Sequence, residues 1–158
     1  GEVMGMDKDF GLAYAKSQIA SQNSLPTKGL AFISLKDRHK NEGIDLAKQL
    51  VKLGFTLCGT EGTANRINKN GIKCKKINKV SGGSPHVIDV LNAKKIALVI
   101  NTGGGKRAHR IQDSTSLRRS TLINKVPYCT NMSTAYACLE AIKSLKTKKI
   151  EVKPLQEI

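Results

Sequence analysis

Tryptophan is absent from these 158 residues, and the other aromatics are few: Phe10, Phe32, Phe55, Tyr14, Tyr128 and Tyr136 are all there are. So little flat surface leaves few platforms for stacking nucleobases. Acidic residues are also scarce, 12 against 27 basic, for a formal net charge of +15. That balance alone invites a nucleic-acid reading. Arginine, which suits bidentate base contacts, is rare, however, and the lysines that carry the charge are scattered along the chain. A basic nucleic-acid-binding module therefore ranks below a binder of a small anionic ligand. No apolar run approaches the ~20 residues that span a bilayer. The opening GEVMGMDKDF also lacks the basic-then-apolar order of a secretory signal. A soluble, cytoplasmic protein with no membrane partner is expected. Cys58, Cys74, Cys129 and Cys138 form no CxxC pair and have no histidine at ligand spacing, so no metal site is expected. Cys58, Cys74 and Cys129 lie in apolar or alternating segments and read as buried, reduced thiols.

What is present is an alternation. Residues 29–35, 55–60, 73–78, 95–101 and 126–130 are short, apolar or β-branched, and end in polar or glycine-rich turns, as strands do. Between them, helices are predicted over 40–53, 63–70, 86–93, 114–124 and 132–146. In the first of these, Ile44, Ala47, Leu50 and Val51 recur at three- and four-residue spacing, which predicts a core face, and Gly54 supplies a stop. Strands alternating with helices call for an α/β fold: a five-stranded, mainly parallel sheet in three α/β/α layers with right-handed crossovers. At this length one domain with appendages is expected. Residues 1–25 stand apart. DFGLAYAKSQIASQ predicts an amphipathic helix with Phe10, Ala13 and Ile19 on or near one side, and NSLPTKG reads as a linker, so the segment looks like the end of a preceding unit.

Ligands of open parallel sheets gather beyond the carboxyl ends of the strands. Three polar stretches fall there. In GFTLCGTEGTANRI (54–67), Thr60 and Thr63 offer hydroxyls, Gly59 and Gly62 admit close backbone approach, and a helix begins near Thr63. This is a phosphate site in outline. It is equally a threonine N-cap with glycines making the turn. NKVSGGSPH (78–86) adds Lys79 and a loop at Gly82 and Gly83. NTGGGKRAHR (101–110) adds Asn101 and Thr102, then three glycines leading to Lys106 and Arg107. Lys40 follows the first strand. Singly, each lysine reads as a solvated charge; their shared placement at one sheet edge argues for an anion. Acid/base chemistry would need a carboxylate or histidine in that pocket. Glu61 sits inside the phosphate loop, His86 suits a surface or capping role, and Asp89 has no evident partner. The pocket is expected to bind rather than to react, with no catalytic residue.

These residues, in this order, resemble the methylglyoxal-synthase-like domain. More closely, the chain resembles the carboxyl-terminal allosteric domain of the large subunit of bacterial-type carbamoyl-phosphate synthetases. The resemblance is carried by AFISLKDRHKNEGIDLAKQLVKLGF, GTEGTA, GIKCKKINKVSGGSPHVID, LVINTGGGKRA, SLRRSTLINKVPYCTN and the lead-in GEVMGMDKDFGLAYAKSQIAS. It implies residues 1–25 as the end of an ATP-grasp domain plus linker, 26–146 as the allosteric domain and 147–158 as a tail. It also implies a nucleotide sensor without a catalytic centre, inhibited through UMP and activated through IMP, with ornithine acting at the boundary with the preceding domain, in pyrimidine and arginine biosynthesis. Carried over by position, Lys40, Thr60, Thr63, Lys79 and Asn101, with Thr102, match the nucleotide-binding residues; Tyr128 and Thr130 match residues facing ornithine. ATP and a divalent metal would serve the parent ligase rather than this segment. The rest of the large subunit and a small glutaminase subunit would be its partners. Three departures stand out. Gly103 follows Thr102 where the family often has a second threonine, Cys129 stands where an acidic residue is common, and two extra residues near His109 and Arg110 lengthen a loop. Two enzymes share the pattern. Methylglyoxal synthase would need aspartates where this chain has Ser84-Pro85 and Asn101-Thr102. The domain that closes the IMP ring shares the GTEGTA-like turn but lacks the lead-in.

Overall fold

The computed structural model describes residues 1–103 and 108–157, with side chains for all of these except Ser81 and residues 108–111. Helix α1 spans Phe10–Ala20. Strand β1 (Gly29–Ser34) leads through a single 3-10 turn to α2 (Lys40–Lys52), then β2 (Phe55–Gly59), α3 (Glu61–Lys69), β3 (Cys74–Lys76), α4 (Val87–Asn92), β4 (Ile96–Asn101), α5 (Ala108–Ile123), β5 (Tyr128–Cys129) and α6 (Met132–Thr147). The strands form one sheet in the order β3-β2-β1-β4-β5, with every neighbouring pair parallel. The expected α/β class and all five strands are present. The two edge strands are shorter than predicted, and α5 begins six residues before its predicted start. The stretch at His109 and Arg110, expected to lengthen a loop, is therefore the first turn of α5.

Side chains alternate across the sheet, as strands buried on both faces require. Ala31, Ile33, Leu57, Leu98 and Ile100 meet α2, α3 and α6 on one face; Phe32, Cys58 and Val99 meet α4 and α5 on the other. All four cysteines are free and buried. Burial pushes the Cys58 thiol up to about 12 and that of Cys74 to about 11. No helix among the described residues is long and apolar enough to cross a membrane.

Two helix faces differ from the prediction. In α2 the buried stripe is Gly43, Leu46, Ala47 and Leu50, while Val51 is 45% exposed and Ile44 only half-buried. Glycine decides the rotation, because a Cβ at residue 43 would lie 2.1 Å from Leu35 Cδ1, so the bare backbone turns toward the sheet. In α1 the buried residues are Gly11, Leu12 and Ala15, whereas Phe10 and Ile19 are exposed. This helix docks on α6 through its smallest residues: a Cβ at Gly11 would come within 2.2 Å of Ser144 Oγ. Asp9 closes the seam. Its carboxylate caps α1 by accepting from Leu12 N–H at 2.8 Å, and it also accepts from Ser144 Oγ at 2.8 Å and from Lys148.

Candidate functional site

With β1 at the centre, the chain leaves it for β2 on one side and later returns to β4 on the other. The chain leaving the carboxyl end of β1 therefore crosses one face of the sheet and the chain leaving β4 crosses the other, and the crevice between two such connections is where doubly wound sheets hold ligands. A cavity of about 350 Å³ lies there. Its floor is apolar, from Phe32, Val80, Val87 and Leu117; its polar wall comes from the ends of β1, β2 and β4.

In the segment 59–63 the expected threonine N-cap bond is not made. Thr60 occupies the N-cap position of α3 with extended backbone, but its side chain caps nothing. Its hydroxyl instead donates to Ser34 Oγ at 3.2 Å and lies 3.4 Å from Thr63 Oγ1. Thr63 Oγ1, fully buried, accepts from Leu35 N–H at 3.0 Å. The threonines thus hold the end of β1, and the first N–H groups of α3 keep no side-chain cap, leaving its positive end open to the cavity. The two glycines do separate jobs. A Cβ at Gly59 would stand 2.5 Å from Ile33 O, so its absence permits β1 and β2 to pair there. A Cβ at Gly62 would stand 2.9 Å from Lys40 Nζ, so its absence lets the ammonium rest over the first turn of α3. Asp37, exposed, pairs with that ammonium.

Lys79 reaches the same cavity from the turn after β3, exposed and without an ion-pair partner among the described residues. Asn101, at the end of β4, has both ends of its amide engaged. Nδ2 donates to the Tyr128 hydroxyl at 3.0 Å and Oδ1 accepts from Gly103 N–H at 3.1 Å. Lys40, Thr60, Thr63, Lys79 and Asn101 therefore converge on one cavity. Thr102 does not line it. Its hydroxyl accepts from Lys36 N–H at 3.1 Å and lies 3.0 Å from His39 Nδ1, tying the loop after β1 to the end of β4. Tyr128 stands behind Asn101, with the Arg118 guanidinium 5.7 Å from its ring centre and burial raising its phenol above the ordinary range. Thr130 is exposed beyond β5 and lines no part of this cavity. Lys106 and Arg107 lie outside the described residues.

Glu61, His86 and Asp89, set aside as acid/base groups on the sequence, do not line the cavity; its carboxylates among the described residues are Asp37 and Asp113. Glu61 turns away to Lys76 at 2.8 Å, which holds its carboxyl below the usual range. Asp89 accepts from His86 N–H at 2.8 Å and Ser84 Oγ at 2.9 Å at the start of α4, with His86 at the cap position. Asp113 escaped notice because its helix was expected to begin one residue later. With α5 starting at Ala108, Asp113, Ser114 and Leu117 share the stripe that faces the cavity. Lys36 was missed as well, having no glycine or threonine beside it to flag a phosphate turn.

The MGS-like domain model matches residues 42–130 of the chain. The chain belongs to the MGS-like domain family. Over 99% of its length this MGS-like domain is 46% identical to the carbamoyl phosphate synthase large chain of Mesorhizobium japonicum, of which it covers 13%. It is 47% identical over 98% of its length to the C-terminal section of that large chain from Aquifex aeolicus, covering 28% of it, and 43% identical to the corresponding section from Methanopyrus kandleri, covering 29%. It thus spans well under a third of the curated relatives it matches. A methylglyoxal synthase from Elizabethkingia anophelis shares the fold, with a TM-score of 0.54 at 19% identity over 73% of this chain and 79% of that one.

Proposed function

We propose that this MGS-like domain is the effector-binding part of a glutamine-hydrolysing carbamoyl phosphate synthase large chain, and that it binds a nucleoside monophosphate without transforming it. UMP is assigned as inhibitor and IMP as activator. One observation carries the reading: the uncapped amino end of α3 opens into a cavity where Lys40 and Lys79 converge and whose far wall is apolar. A dianionic phosphate satisfies the N–H groups and both ammonium ions, and a base lies against Phe32, Val80, Val87 and Leu117. Asp113 and Ser114 offer acceptors to sugar hydroxyls. Ornithine belongs at the Tyr128–Thr130 edge, where Tyr128 touches the cavity's Asn101. ATP, a divalent metal and the glutaminase subunit concern the remainder of such a ligase. The effector's influence on that ligase is bounded by its difference in affinity between active and inactive states, typically about 1–3 kcal/mol.

Isothermal titration of the 158-residue chain with UMP, IMP and ornithine tests this. Binding of a mononucleotide is expected, weakened about tenfold or more in Thr60→Ala and in Lys79→Ala, since hydrogen bonds to charged groups contribute about 1.5–3 kcal/mol. Unchanged affinity in both variants removes the assignment. Asp113, which with Asp37 supplies the cavity's carboxylates among the described residues, gives the methylglyoxal synthase reading a foothold. Incubation with dihydroxyacetone phosphate is expected to yield no turnover, and a product abolished by Asp113→Asn would replace the sensor reading with an enzyme.

A further inference from the structure

Two of the buried thiols touch. Cys129 Sγ of β5 lies 3.3 Å from Cys138 Sγ of α6, and the Tyr14 hydroxyl of α1 lies 3.8 Å from the same Cys138 sulfur. Both cysteines are buried, and neither lines the cavity described above. Packing as a small hydrophobe is the ordinary duty of a buried cysteine. Cys58 and Cys74 fit it, since they belong to cores on opposite faces of the sheet. The 129–138 pair differs, because its sulfurs stand at hydrogen-bonding distance and a thiol is a weak donor as well as a weak acceptor. Cys138 has two donors at hand, the Cys129 thiol and the Tyr14 hydroxyl. The bond from Cys129 first, and that from Tyr14 after it, hold the Cys138 thiol below its ordinary range against the opposing pull of burial. The same contact, joined by burial, pushes the Cys129 thiol up. One sulfur is thus disposed to attack and the other to keep its proton.

We propose that Cys129 and Cys138 form an oxidisable dithiol, which a small hydroperoxide converts to an intramolecular disulfide and a thiol reductant restores. The Cys138 thiolate attacks one oxygen of the peroxide, the O–O bond breaks, and the departing hydroxide takes up a proton, leaving water and a sulfenic acid. The Cys129 sulfur then attacks that of Cys138, its proton passes to the departing hydroxide as the S–O bond breaks, and a second water leaves. The two thiols have given up two electrons, and the peroxide has accepted them. The fold brings the partners close to bonding distance: a disulfide spans about 2.05 Å, so the sulfurs must approach by about 1.3 Å. Both carriers are fixed in place. Cys129 pairs with Ile100 in the sheet, and α6 starts from a cap in which Asn131 Oδ1 accepts from Thr134 N–H at 2.8 Å. Tyr14 is only half-buried, so the sulfur that meets the peroxide lies one side chain from solvent. The bond fastens to α6 the residue that stands between Tyr128 and Thr130.

The test treats the native 158-residue chain with hydrogen peroxide at neutral pH. The remaining thiols are then alkylated in denaturant and the linked peptides mapped by mass. Wild type is compared with C58A/C74A, which keeps only the pair, and with C129A and C138A. A Cys129–Cys138 disulfide is expected as the main product in wild type and in C58A/C74A, formed at least about tenfold faster than Cys58 and Cys74 are consumed and lost again on reduction. C129A should halt at a sulfenic acid on Cys138, captured by dimedone, whereas C138A should leave Cys129 reduced. Should either single variant fail to fold, wild type and C58A/C74A still decide. Consumption of all four thiols at one rate overturns the proposal, since the contact would then be packing alone. So does a native chain that keeps the pair reduced while Cys58 or Cys74 reacts, or a Cys138 that passes to sulfinic acid in wild type with no disulfide formed. A sulfenic acid on Cys129 in C138A, with none on Cys138 in C129A, overturns the assignment of Cys138 as the attacking sulfur.

Discussion

Thr60 and Thr63 sit three residues apart and carry the same hydroxyl, yet the structure gives them different duties. Thr63 is buried, and its oxygen is the acceptor for Leu35 N–H. Thr63→Val strands that donor and should cost about 1–3 kcal/mol. At about 2–4 °C per kcal/mol for a chain of this size, a melt should show a fall of several degrees. The Thr60 hydroxyl bonds to two other hydroxyls, those of Ser34 and Thr63, and strands no backbone donor when removed, so Thr60→Val should leave Tm nearly unchanged and reveal itself in titration with UMP. Equal Tm losses in both would mean the two are simply packing residues. Gly59→Ala should be the most damaging small change of the segment, because its methyl would meet a strand carbonyl at 2.5 Å that cannot swing aside. At this scale the threonine and glycine chemistry was legible in the sequence. Which threonine faces the strand was not, since that depends on β1 arriving alongside.

Helix α1 shows how an element can be found correctly and faced wrongly. Its apolar pattern pointed to Phe10 and Ile19, but a helix that packs through Gly11 and Ala15 buys closeness with small residues rather than with area, and periodicity of large side chains does not report that. The α1–α6 seam also carries an acid-sensitive contact. Lys148, followed by the Leu12 N–H and Ser144 hydroxyl, holds the Asp9 carboxyl down at about 2, from an ordinary 3.8. A carboxyl depressed in the folded state lends stability above its unfolded value and loses it as pH falls toward the folded one. The contribution of Asp9 is therefore complete above about pH 4 and fades toward about pH 2. Asp9→Asn keeps a good cap without the charge. Melts of both proteins across this window should show wild type ahead at the upper end and the two converging at the lower end. A gap that stays constant throughout would mean that the Asp9 charge does not contribute.

For the molecule as a whole, the alternation of strands and helices was readable because each central strand is buried on both faces and each helix on one. Strand order was not, since no local feature tells β1 that β4 rather than β3 will lie beside it. The cavity's position follows from that order, which is why its lysines could be gathered from sequence as candidates while Asp113, supplied by a helix crossing overhead, was overlooked. The same packing makes a prediction about the thiols. All four are buried, and burial lifts Cys58 and Cys74 to about 12 and 11, so these two hold hardly any thiolate near neutrality. A disulfide-exchange reagent should label none of them promptly in the native chain and all four in denaturant. Rapid native labelling would show that the core opens on its own. A last consequence lies at the margins of the sheet. β3 offers three residues and β5 only two, too little ladder for a foreign strand to extend. Whatever this domain docks against must be gripped by helical flanks and loop ends, and growth of the sheet from molecule to molecule is blocked at both borders.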